Sequence, residues 1–302
     1  MSVDVPVPFG LVRAAHEAWG DVGRRWLAEL PGTVRDLVAH WALELGELLP
    51  MSIHWVCAVT TAEGRPAVLK VGPPAPGHLP VEAQVLRLFD GSGSVRLLRE
   101  DQARGALLLE RAVPGDALSG LVPGDDEKAT AVLVDVLHAL HRPAPPDLSD
   151  VLDQRHDLYL HLRTDGLLPA RLVDRAAGLF SELSGDATER VVLHGDLHHD
   201  NVLRAERSPW LSIDPHGSAG DPGYDIGSIL FNPAHLERDT DLLALLPRRI
   251  EQLADGLGMD IDRVVAWGFV KAVLSQVWSC EVPAPRLTRA LDVALVLEPR
   301  LR

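Results

Sequence analysis

The chain has 302 residues, of which 46% are hydrophobic and 24% charged, a balance typical of soluble globular proteins rather than disordered ones. Its formal net charge of −14 argues against nucleic-acid and anionic-membrane partners, because both require a positive protein surface. No stretch of about 18 uncharged apolar residues is present, so a membrane-spanning helix is not expected. Two cysteines cannot form a disulfide framework, and the N-terminus lacks a secretion-signal pattern, which together predict a cytoplasmic protein.

Residues 1–111 predict a small domain rich in strands. Its predicted helices carry apolar residues at helical spacing and are Thr33–Leu49 and Val81–Phe89. Its predicted strands are short and apolar, and they are Trp55–Thr60, Ala67–Val71, Val95–Leu98 and Ala106–Glu110. The first two strands are separated by Glu63–Pro66, which predicts a hairpin turn.

Residues 112–302 predict a larger and mainly helical domain. Its predicted helices are Glu127–His141, Leu152–Leu162, Ala170–Leu183, Leu242–Leu257, Ile261–Val277 and a last one after Pro285. Short strands are predicted at Val191–Leu193 and Trp210–Ile213. Trp267 and Trp278, eleven residues apart on a late helix, are expected in the core, and the walls of a substrate site are the alternative position for them.

The densest cluster of chemically active side chains lies in the second domain. His194-Gly195-Asp196 is followed by Asn201 five residues after the aspartate, and Asp214 comes at the end of the next predicted strand. Phosphoryl transfer to an alcohol requires such a set, because one carboxylate accepts the hydroxyl proton while an amide oxygen and a second carboxylate bind magnesium. Asp196 is therefore the candidate base, and Asn201 and Asp214 are the candidate magnesium ligands.

The histidines of the same segment leave a second interpretation open. His194, His198 and His199 are residue types that bind zinc or iron, and Asp214 with His216 could complete a binuclear metallohydrolase site. This interpretation gives no role to the first domain. A structural role for His194, supporting the loop by hydrogen bonds, is the simpler expectation.

Lysine is rare in this chain, since only Lys70, Lys128 and Lys271 occur among 29 basic residues. A chain that otherwise uses arginine places lysine where a compact point charge matters. The segment around Lys70 is therefore a candidate site as well.

Five segments in chain order resemble the aminoglycoside phosphotransferases, the small-molecule branch of the protein-kinase-like fold. His-Gly-Asp-x-x-x-x-Asn followed by Ile-Asp is similar to their catalytic region, and Gly-Asp-Pro-x-x-Asp ending at Asp225 is similar to the segment that braces it. Ala67–Lys70 resembles the strand with the phosphate-binding lysine, and Glu82 resembles the ion-pair partner of that lysine. Leu107–Arg111 resembles the hinge that holds adenine. In detail the chain is most similar to the streptomycin 6-phosphotransferase and hydroxyurea phosphotransferase subgroup.

The resemblance implies an α+β, bilobal protein-kinase-like fold with a strand-rich N-terminal lobe and a larger helical C-terminal lobe. It implies an ATP- and Mg²⁺-dependent kinase in which Glu82 holds Lys70 against the phosphates. His194 and Asp225 are then structural supports of the catalytic loop. Adenine contacts are expected at Leu109, Glu110 and Arg111.

The resemblance departs from the protein kinases at one place. The stretch at 49–55, where protein kinases carry a glycine-rich loop over the phosphates, contains no glycine. The backbone around Ser52 is expected to cover the phosphates instead.

The resemblance also implies a small hydroxylated acceptor, with streptomycin as the first candidate and antibiotic resistance as the role. Because streptomycin carries two guanidinium groups, its site should offer carboxylates, and the candidates are Asp157, Asp221, Asp225 and Glu281. Residues 111–302 carry 30 of the 43 acidic residues but 19 of the 29 basic ones, which also favours a cationic acceptor.

Hydroxyurea or another small alcohol or sugar is the alternative acceptor, and a non-catalytic nucleotide-binding protein is an alternative function. A monomer or homodimer is expected.

Overall fold

The computed structural model of the chain describes residues 4–51, 53–74, 78–155, 157–158, 168–233, 238, 241–281 and 285–301. The chain divides into two compact units. The first comprises Met1–Gly91 and Val95–Ala112, and the second comprises Ser92–Ser94 and Val113–Arg302. No helix within the described ranges combines the length and apolar character needed to cross a membrane.

The first unit is built on a five-stranded antiparallel sheet. Its strands in chain order are β1 (Glu44–Leu48), β2 (Trp55–Thr60), β3 (Pro66–Val71), β4 (Leu97–Asp101) and β5 (Ala106–Glu110). Their order across the sheet is β1-β2-β3-β5-β4, so β3 is the central strand. Lys70 on β3 lies opposite Val56 on one side and Leu107 on the other, which fixes its backbone.

Two helices accompany the sheet, α1 (Phe9–Trp41) and α2 (Leu79–Phe89). The apolar face of α1 supplies Trp26, Leu30 and Leu37 to a core that also contains Trp55 and Leu69 from the sheet. Burial of side chains of this size is the main source of stability for such a unit.

Three sequence-based predictions of elements need correction. The helix predicted over Thr33–Leu49 ends at Trp41, because Ala42 takes a left-handed conformation with φ 52° and its N–H bonds the Val38 carbonyl. The following residues form β1 instead, where Leu45 packs against the core. Leu45 continues the helical spacing of the apolar residues before it, which is why the sequence pattern alone did not separate helix from strand.

The strand predicted over Val95–Leu98 begins two residues later, at Leu97. The reason is that the Arg96 backbone is held by Glu110: its N–H donates to Oε2 at 3.0 Å and its carbonyl accepts from the Glu110 N–H at 2.8 Å. The helix predicted over Leu152–Leu162 begins as a 3-10 turn at Val151–Gln154 and is α-helical, as predicted, at Arg155, Asp157 and Leu158; residues 156 and 159–162 lie outside the described residues.

The second unit is mainly helical. Its helices are α3 (Asp126–Leu140), α4 (Ala170–Gly185), α5 (Gly223–Phe231), α6 (Leu246–Leu257), α7 (Ile261–Cys280) and α8 (Arg289–Leu297). Its strands are β6 (Pro114–Ala117), β7 (Val191–Leu193), β8 (Val202–Ala205), β9 (Trp210–Ser212) and β10 (Ser218–Gly220). They pair as β6-β8-β9 and β7-β10, so that the loop 194–201 joins β7 to β8 and Asp214 lies between β9 and β10.

Helices α5 and α7 pack unusually closely. A Cβ atom at Gly223 would lie 2.1 Å from Cδ1 of Trp267, and one at Gly227 would lie 2.3 Å from Cβ of Lys271. Both distances are far below van der Waals contact, so glycine is required at these two positions of α5. Two helical turns of α5 thereby lie directly against the side of α7 that carries Trp267 and Lys271.

The C-terminal end of α5 is held by a buried guanidinium. Arg249 donates to both carboxylate oxygens of Asp126 and to the carbonyls of Ile229 and Asn232. A buried charge is tolerated only when it is paired and hydrogen-bonded, and this one is.

Candidate functional site

The loop His194–Asn201, called the HGD loop below, is anchored by one buried carboxylate on α5. Asp225 accepts the N–H of His194 through Oδ2 at 2.9 Å and the N–H of Gly195 through Oδ1 at 2.7 Å. His141 Nε2 lies 3.1 Å from Oδ2 as well. Burial opposes ionisation of Asp225, but the contact with His141 and the two N–H donors outweigh it and lower the pKa of Asp225.

His194 is fully buried, and both of its ring nitrogens face the backbone. Nε2 lies 3.0 Å from the Ile213 carbonyl, and Nδ1 accepts the N–H of Asp196 at 3.3 Å. Burial lowers the pKa of His194 to about 4, against the opposing charges of Asp225 and Asp196. A neutral imidazole with its proton on Nε2 satisfies both contacts, so His194 links the HGD loop to the segment after β9.

Asp196, the predicted base, lies near a serine hydroxyl, two histidines and the Lys271 ammonium. Ser228 Oγ donates to its Oδ1 at 3.4 Å, and His198 Nε2 lies 3.6 Å from its Oδ2, longer than a hydrogen bond. Burial would raise the pKa of Asp196, but His198, His216 and the Lys271 ammonium outweigh that effect and hold the pKa well below its ordinary value. Asp196 is therefore an anion at neutral pH that can accept a hydrogen bond from an alcohol.

Asn201, one of the two predicted magnesium ligands, bonds both Asp196 and the residue before Asp214, the other predicted ligand. Asn201 donates through Nδ2 to the Asp196 carbonyl at 3.0 Å, and its own carbonyl accepts the N–H of Ile213 at 2.9 Å. Ile213 is followed by Asp214, which has a φ of 59°, a left-handed conformation that few non-glycine residues adopt. Strained backbone of this kind is concentrated at functional sites.

The donor set of Asn201 and Asp214 fits magnesium. Because Nδ2 of Asn201 is used by the Asp196 carbonyl, its Oδ1 is turned away and has no hydrogen-bond partner among the described residues. An amide oxygen and a carboxylate are the hard oxygen ligands that Mg²⁺ prefers.

A cavity of about 360 Å³ opens beside Asp196. Asp196 is the carboxylate among its described lining residues, Lys271 and Arg286 are cations, and Phe231 and Trp278 are aromatic. A volume near the lower end of the range for small-molecule sites suits a compact ligand or one part of a larger ligand. Trp278 was expected in the core, but it lines this cavity.

The acceptor candidates lie at different distances from this cavity. Asp157 accepts a hydrogen bond from Nε1 of Trp278 at 2.8 Å, so it lies behind one wall. Asp221 is bonded to the Gly223 N–H and pairs with Arg263 at 2.5 Å, and it does not line the cavity. Glu281 is exposed at the end of α7 and does not line it either.

In the first unit, Lys70 and Glu82 form a buried ion pair. Lys70 Nζ lies 2.7 Å from Glu82 Oε2, and the side chains are 7% and 2% exposed. The pair joins the central strand β3 to helix α2, the arrangement expected from the sequence.

The predicted adenine-binding residues fall at the end of β5. Leu109 and Glu110 are paired with β3 inside the sheet, and Arg111 is the first residue beyond it. The Glu110 carboxylate bonds the Arg96 N–H, while Arg111 pairs with Glu47 at 2.9 Å. Ser52, which was predicted to cover the phosphates, lies outside the described residues.

The contacts of the histidines do not support the metallohydrolase interpretation. His194 uses both ring nitrogens within the protein, and His199 is fully buried. Burial, together with the charge of Arg249, keeps the pKa of His199 well below its ordinary value. Across the described ranges, no three histidine, cysteine, aspartate or glutamate side chains are grouped to hold a metal ion.

Known sequences show the family to which the chain belongs. Residues 40–283 match the aminoglycoside/hydroxyurea antibiotic resistance kinase family. The chain belongs to this family. It is therefore a kinase, a phosphotransferase with an alcohol group as acceptor.

Individual relatives of this kinase cover nearly its whole length. Streptomycin 6-kinase of Streptomyces griseus is 34% identical over 286 residues, which are 92% of this chain and 92% of that enzyme. Hydroxyurea phosphotransferase of Kitasatospora aureofaciens is 33% identical over 284 residues, 92% of this chain and 81% of that enzyme.

A solved structure confirms the fold. A thermostable variant of an aminoglycoside phosphotransferase, crystallised with ADP and hygromycin B, is similar with a TM-score of 0.57 at 16% identity. The similarity covers 88% of this kinase and 95% of that protein. The predicted α+β, protein-kinase-like fold is thus confirmed.

Sequence reasoning missed three residues that the structure places around Asp196. Ser228 donates to the carboxylate, Lys271 donates to the Gly195 carbonyl, and Trp278 lines the cavity. Ser228 lies three residues after Asp225 on α5, and this spacing on one helix face could have indicated it. The rarity of lysine was the signal for Lys271.

Proposed function

We propose that this kinase transfers the γ-phosphoryl group of ATP, with Mg²⁺, to a hydroxyl group of an aminoglycoside-type acceptor, with streptomycin as the first candidate. The observation that carries the proposal is the ionised Asp196 beside a cavity. Asn201 bonds the Asp196 carbonyl and also the N–H of Ile213, the residue that precedes Asp214. Relatives named for streptomycin and hydroxyurea phosphorylation support the same chemistry.

Asp196 acts on the acceptor. Its carboxylate accepts a hydrogen bond from the hydroxyl and orients the oxygen toward the γ-phosphorus. As the new O–P bond forms and the bond to the β–γ bridging oxygen breaks, the hydroxyl proton passes to Asp196 and ADP leaves. Because the pKa of Asp196 is held low, orientation precedes proton transfer, which suits a loose transition state in which the proton moves late.

The remaining predicted residues serve the donor. Lys70 would position the ATP phosphates as a point charge, and Glu82 would keep its ammonium in place. Backbone groups near Leu109, Glu110 and Arg111 would contact adenine. Asn201 Oδ1 and the Asp214 carboxylate would hold magnesium, and the bound ion would neutralise charge on the phosphates.

The cavity favours a second candidate acceptor. Its described walls present Lys271 and Arg286, and its carboxylate there is Asp196 itself. Such walls suit a neutral acceptor such as hydroxyurea, whereas the guanidinium groups of streptomycin require carboxylates farther out, such as Asp157 behind Trp278.

A transfer assay tests the proposal. Streptomycin and hydroxyurea are each incubated with ATP and Mg²⁺, and the products are identified by mass. We expect phosphorylated streptomycin, with a kcat/KM that falls as salt rises to about 0.15 M, because screening weakens attraction of a cation to the acidic second unit. Phosphorylation of hydroxyurea alone, with no dependence on salt, would replace streptomycin by the neutral acceptor. Activity without nucleotide would falsify the kinase mechanism.

A further inference from the structure

Lys271, on α7, is a buried cation that the proposed mechanism leaves without a role. The residue is 2% exposed, and within the described ranges no carboxylate lies at ion-pair distance from its ammonium. Taking such a charge out of water costs several kcal/mol unless other groups compensate it. A buried lysine in a chain with three lysines therefore requires an explanation from its surroundings.

The ammonium is used by the HGD loop and two aromatic rings. Nζ donates to the Gly195 carbonyl at 2.9 Å. It also lies 4.1 Å from the centroid of the Tyr224 ring and 5.5 Å from that of Trp278, distances at which a cation is attracted to a ring face. Burial lowers the pKa of Lys271, while the charges of Asp196 and Asp225 oppose that effect.

The bond to Gly195 fixes one particular peptide plane. The carbonyl of Gly195 and the N–H of Asp196 belong to the same peptide, and Lys271 holds the first while His194 Nδ1 accepts the second. Gly195 has a φ of +86°, and a glycine in that region can rotate its peptide with little steric cost. Contacts on both edges of the plane therefore select one orientation of the Asp196 backbone.

The fold delivers Lys271 to this position through a glycine. Because Gly227 has no side chain, α5 approaches α7 so closely that a Cβ there would lie 2.3 Å from Cβ of Lys271. The same helix α5 carries Asp225, which anchors the two residues before Asp196. The ammonium and the carboxylate thus reach the HGD loop from two helices that are locked together.

We propose that Lys271 is a positioning residue for phosphoryl transfer, whose buried ammonium pins the Gly195–Asp196 peptide and so aims the Asp196 carboxylate at the acceptor hydroxyl. The inference rests on the proposed function in which Asp196 orients that hydroxyl. Lys271 acts through Asp196 and need not touch the acceptor.

The first experiment separates positioning from stability. Lys271→Met keeps an unbranched side chain only one atom shorter and removes its charge. We expect kcat for streptomycin to fall about 100-fold, as a misaligned catalytic group predicts. The KM values for ATP and streptomycin should stay near those of the wild type. Val273→Ala, a buried change on the same helix, controls for lost stability, and the exposed Lys128→Met controls for the lost charge. A loss of kcat no larger than in Val273→Ala, or a change confined to the streptomycin KM, overturns the proposal.

The second experiment asks whether an ammonium at this place suffices. Lys271→Ala leaves a cavity that a small molecule can fill. Added n-propylammonium should restore part of the lost kcat, whereas n-propanol at the same concentration should not. Equal rescue by both compounds shows that volume, not charge, matters and overturns the proposal. If Lys271→Met does not fold, Lys271→Gln takes its place, because glutamine keeps a hydrogen-bond donor without the charge. A wild-type kcat in Lys271→Gln also overturns the proposal.

The outcomes of these experiments separate the proposed function from the proposed role of Lys271. A wild-type protein that phosphorylates neither streptomycin nor hydroxyurea contradicts the proposed function. A wild-type protein that phosphorylates streptomycin, together with an unimpaired Lys271→Met variant, contradicts the role of Lys271 alone.

Discussion

The Lys70–Glu82 pair and the HGD loop are held in place by different means. The first is centred on a 2.7 Å ion pair between two side chains on neighbouring elements. The second is positioned by bonds to its backbone, since Asp225, His194 and Lys271 hold peptide groups on the N-terminal side of Asp196. Residues other than Asp196 itself therefore carry the geometry of the loop, whereas the ion pair depends directly on the identity of its two members.

We expect the largest loss of activity from a substitution that removes the Asp196 carboxylate and leaves the backbone of the HGD loop undisturbed. Asp196→Asn keeps the size of the side chain and an oxygen for Ser228, but it loses the charge and the proton acceptor. We expect kcat to fall about 1,000-fold. The thermal midpoint and the affinity for ATP should change little. Turnover at the wild-type rate would contradict the assignment of Asp196.

Removing the anchor of the loop should combine lost activity with lost stability. Asp225→Asn replaces one acceptor of a backbone N–H by a donor at a fully buried position. We expect kcat to fall about 100-fold and the free energy of unfolding of the second unit to fall by about 2–3 kcal/mol.

Urea denaturation and steady-state kinetics measure both effects of Asp225→Asn. The exposed Asp174→Asn on α4 is the matched control and should leave both unchanged. If the anchor variant lost activity without stability, Asp225 would act on substrate rather than on the loop.

The ion pair should behave as one unit in kinetics. Lys70→Met is expected to lower kcat about 100-fold and Glu82→Gln about ten-fold, because the glutamate acts only by holding the lysine. The double variant should be no slower than Lys70→Met, since the second change removes a support that no longer has a function. Lys128→Met is the control for a lost lysine charge. Losses that multiply in the double variant would show that the two residues act separately.

The last prediction concerns the pH dependence of stability that His194 causes. This effect is the smallest of the four at neutral pH and becomes clear at acid pH. An unfolded histidine binds a proton below about pH 6.5, but the folded His194 resists protonation until about pH 4. Between these values the unfolded state binds more protons, so stability falls as pH falls, by about 3 kcal/mol. Asp225, whose pKa is lowered, adds a further loss below about pH 4.

Denaturation of the wild type and of His194→Asn at several pH values between 7 and 4 checks this window. The variant should show a flatter dependence of stability on pH, because its side chain does not titrate. The titratable groups that face the imidazole are Asp225, Asp196 and His216, and all three are retained in the variant. Equal slopes for the two proteins would mean that His194 is not the titrating group.

The sequence predicted the site best where the chemistry is local. Asp196, Asn201 and Asp214 lie within 19 consecutive residues. Their short apolar flanking strands, Val191–Leu193 and Trp210–Ser212, are as predicted within one residue. Residue type and spacing contain this information without any knowledge of packing. Glu82, in contrast, was assigned from the resemblance to the phosphotransferase family, because a glutamate on a helix is uninformative by itself.

The sequence was a poor guide wherever contacts between distant segments of the chain determine the structure. Leu45 fits a helix by spacing, but pairing of β1 with β2 makes it part of a strand. Lys271 lies 76 residues from Gly195, and only the packing of α7 on α5 brings them together. The position of Trp278 at the cavity rather than in the core follows from the same packing. Periodicity describes one face of one helix and cannot identify the element that covers it.

The glycines of α5 restrict how the cavity of this kinase can be reshaped. Trp267 and Lys271 each fill the notch left by Gly223 or Gly227, so α7 cannot slide along α5 without a collision at both places. The frame that carries Asp196 is therefore a locked one. We therefore expect substitutions of side chains on the cavity wall, such as Ser275 and Ser279, to change acceptor preference while the two helices keep their register.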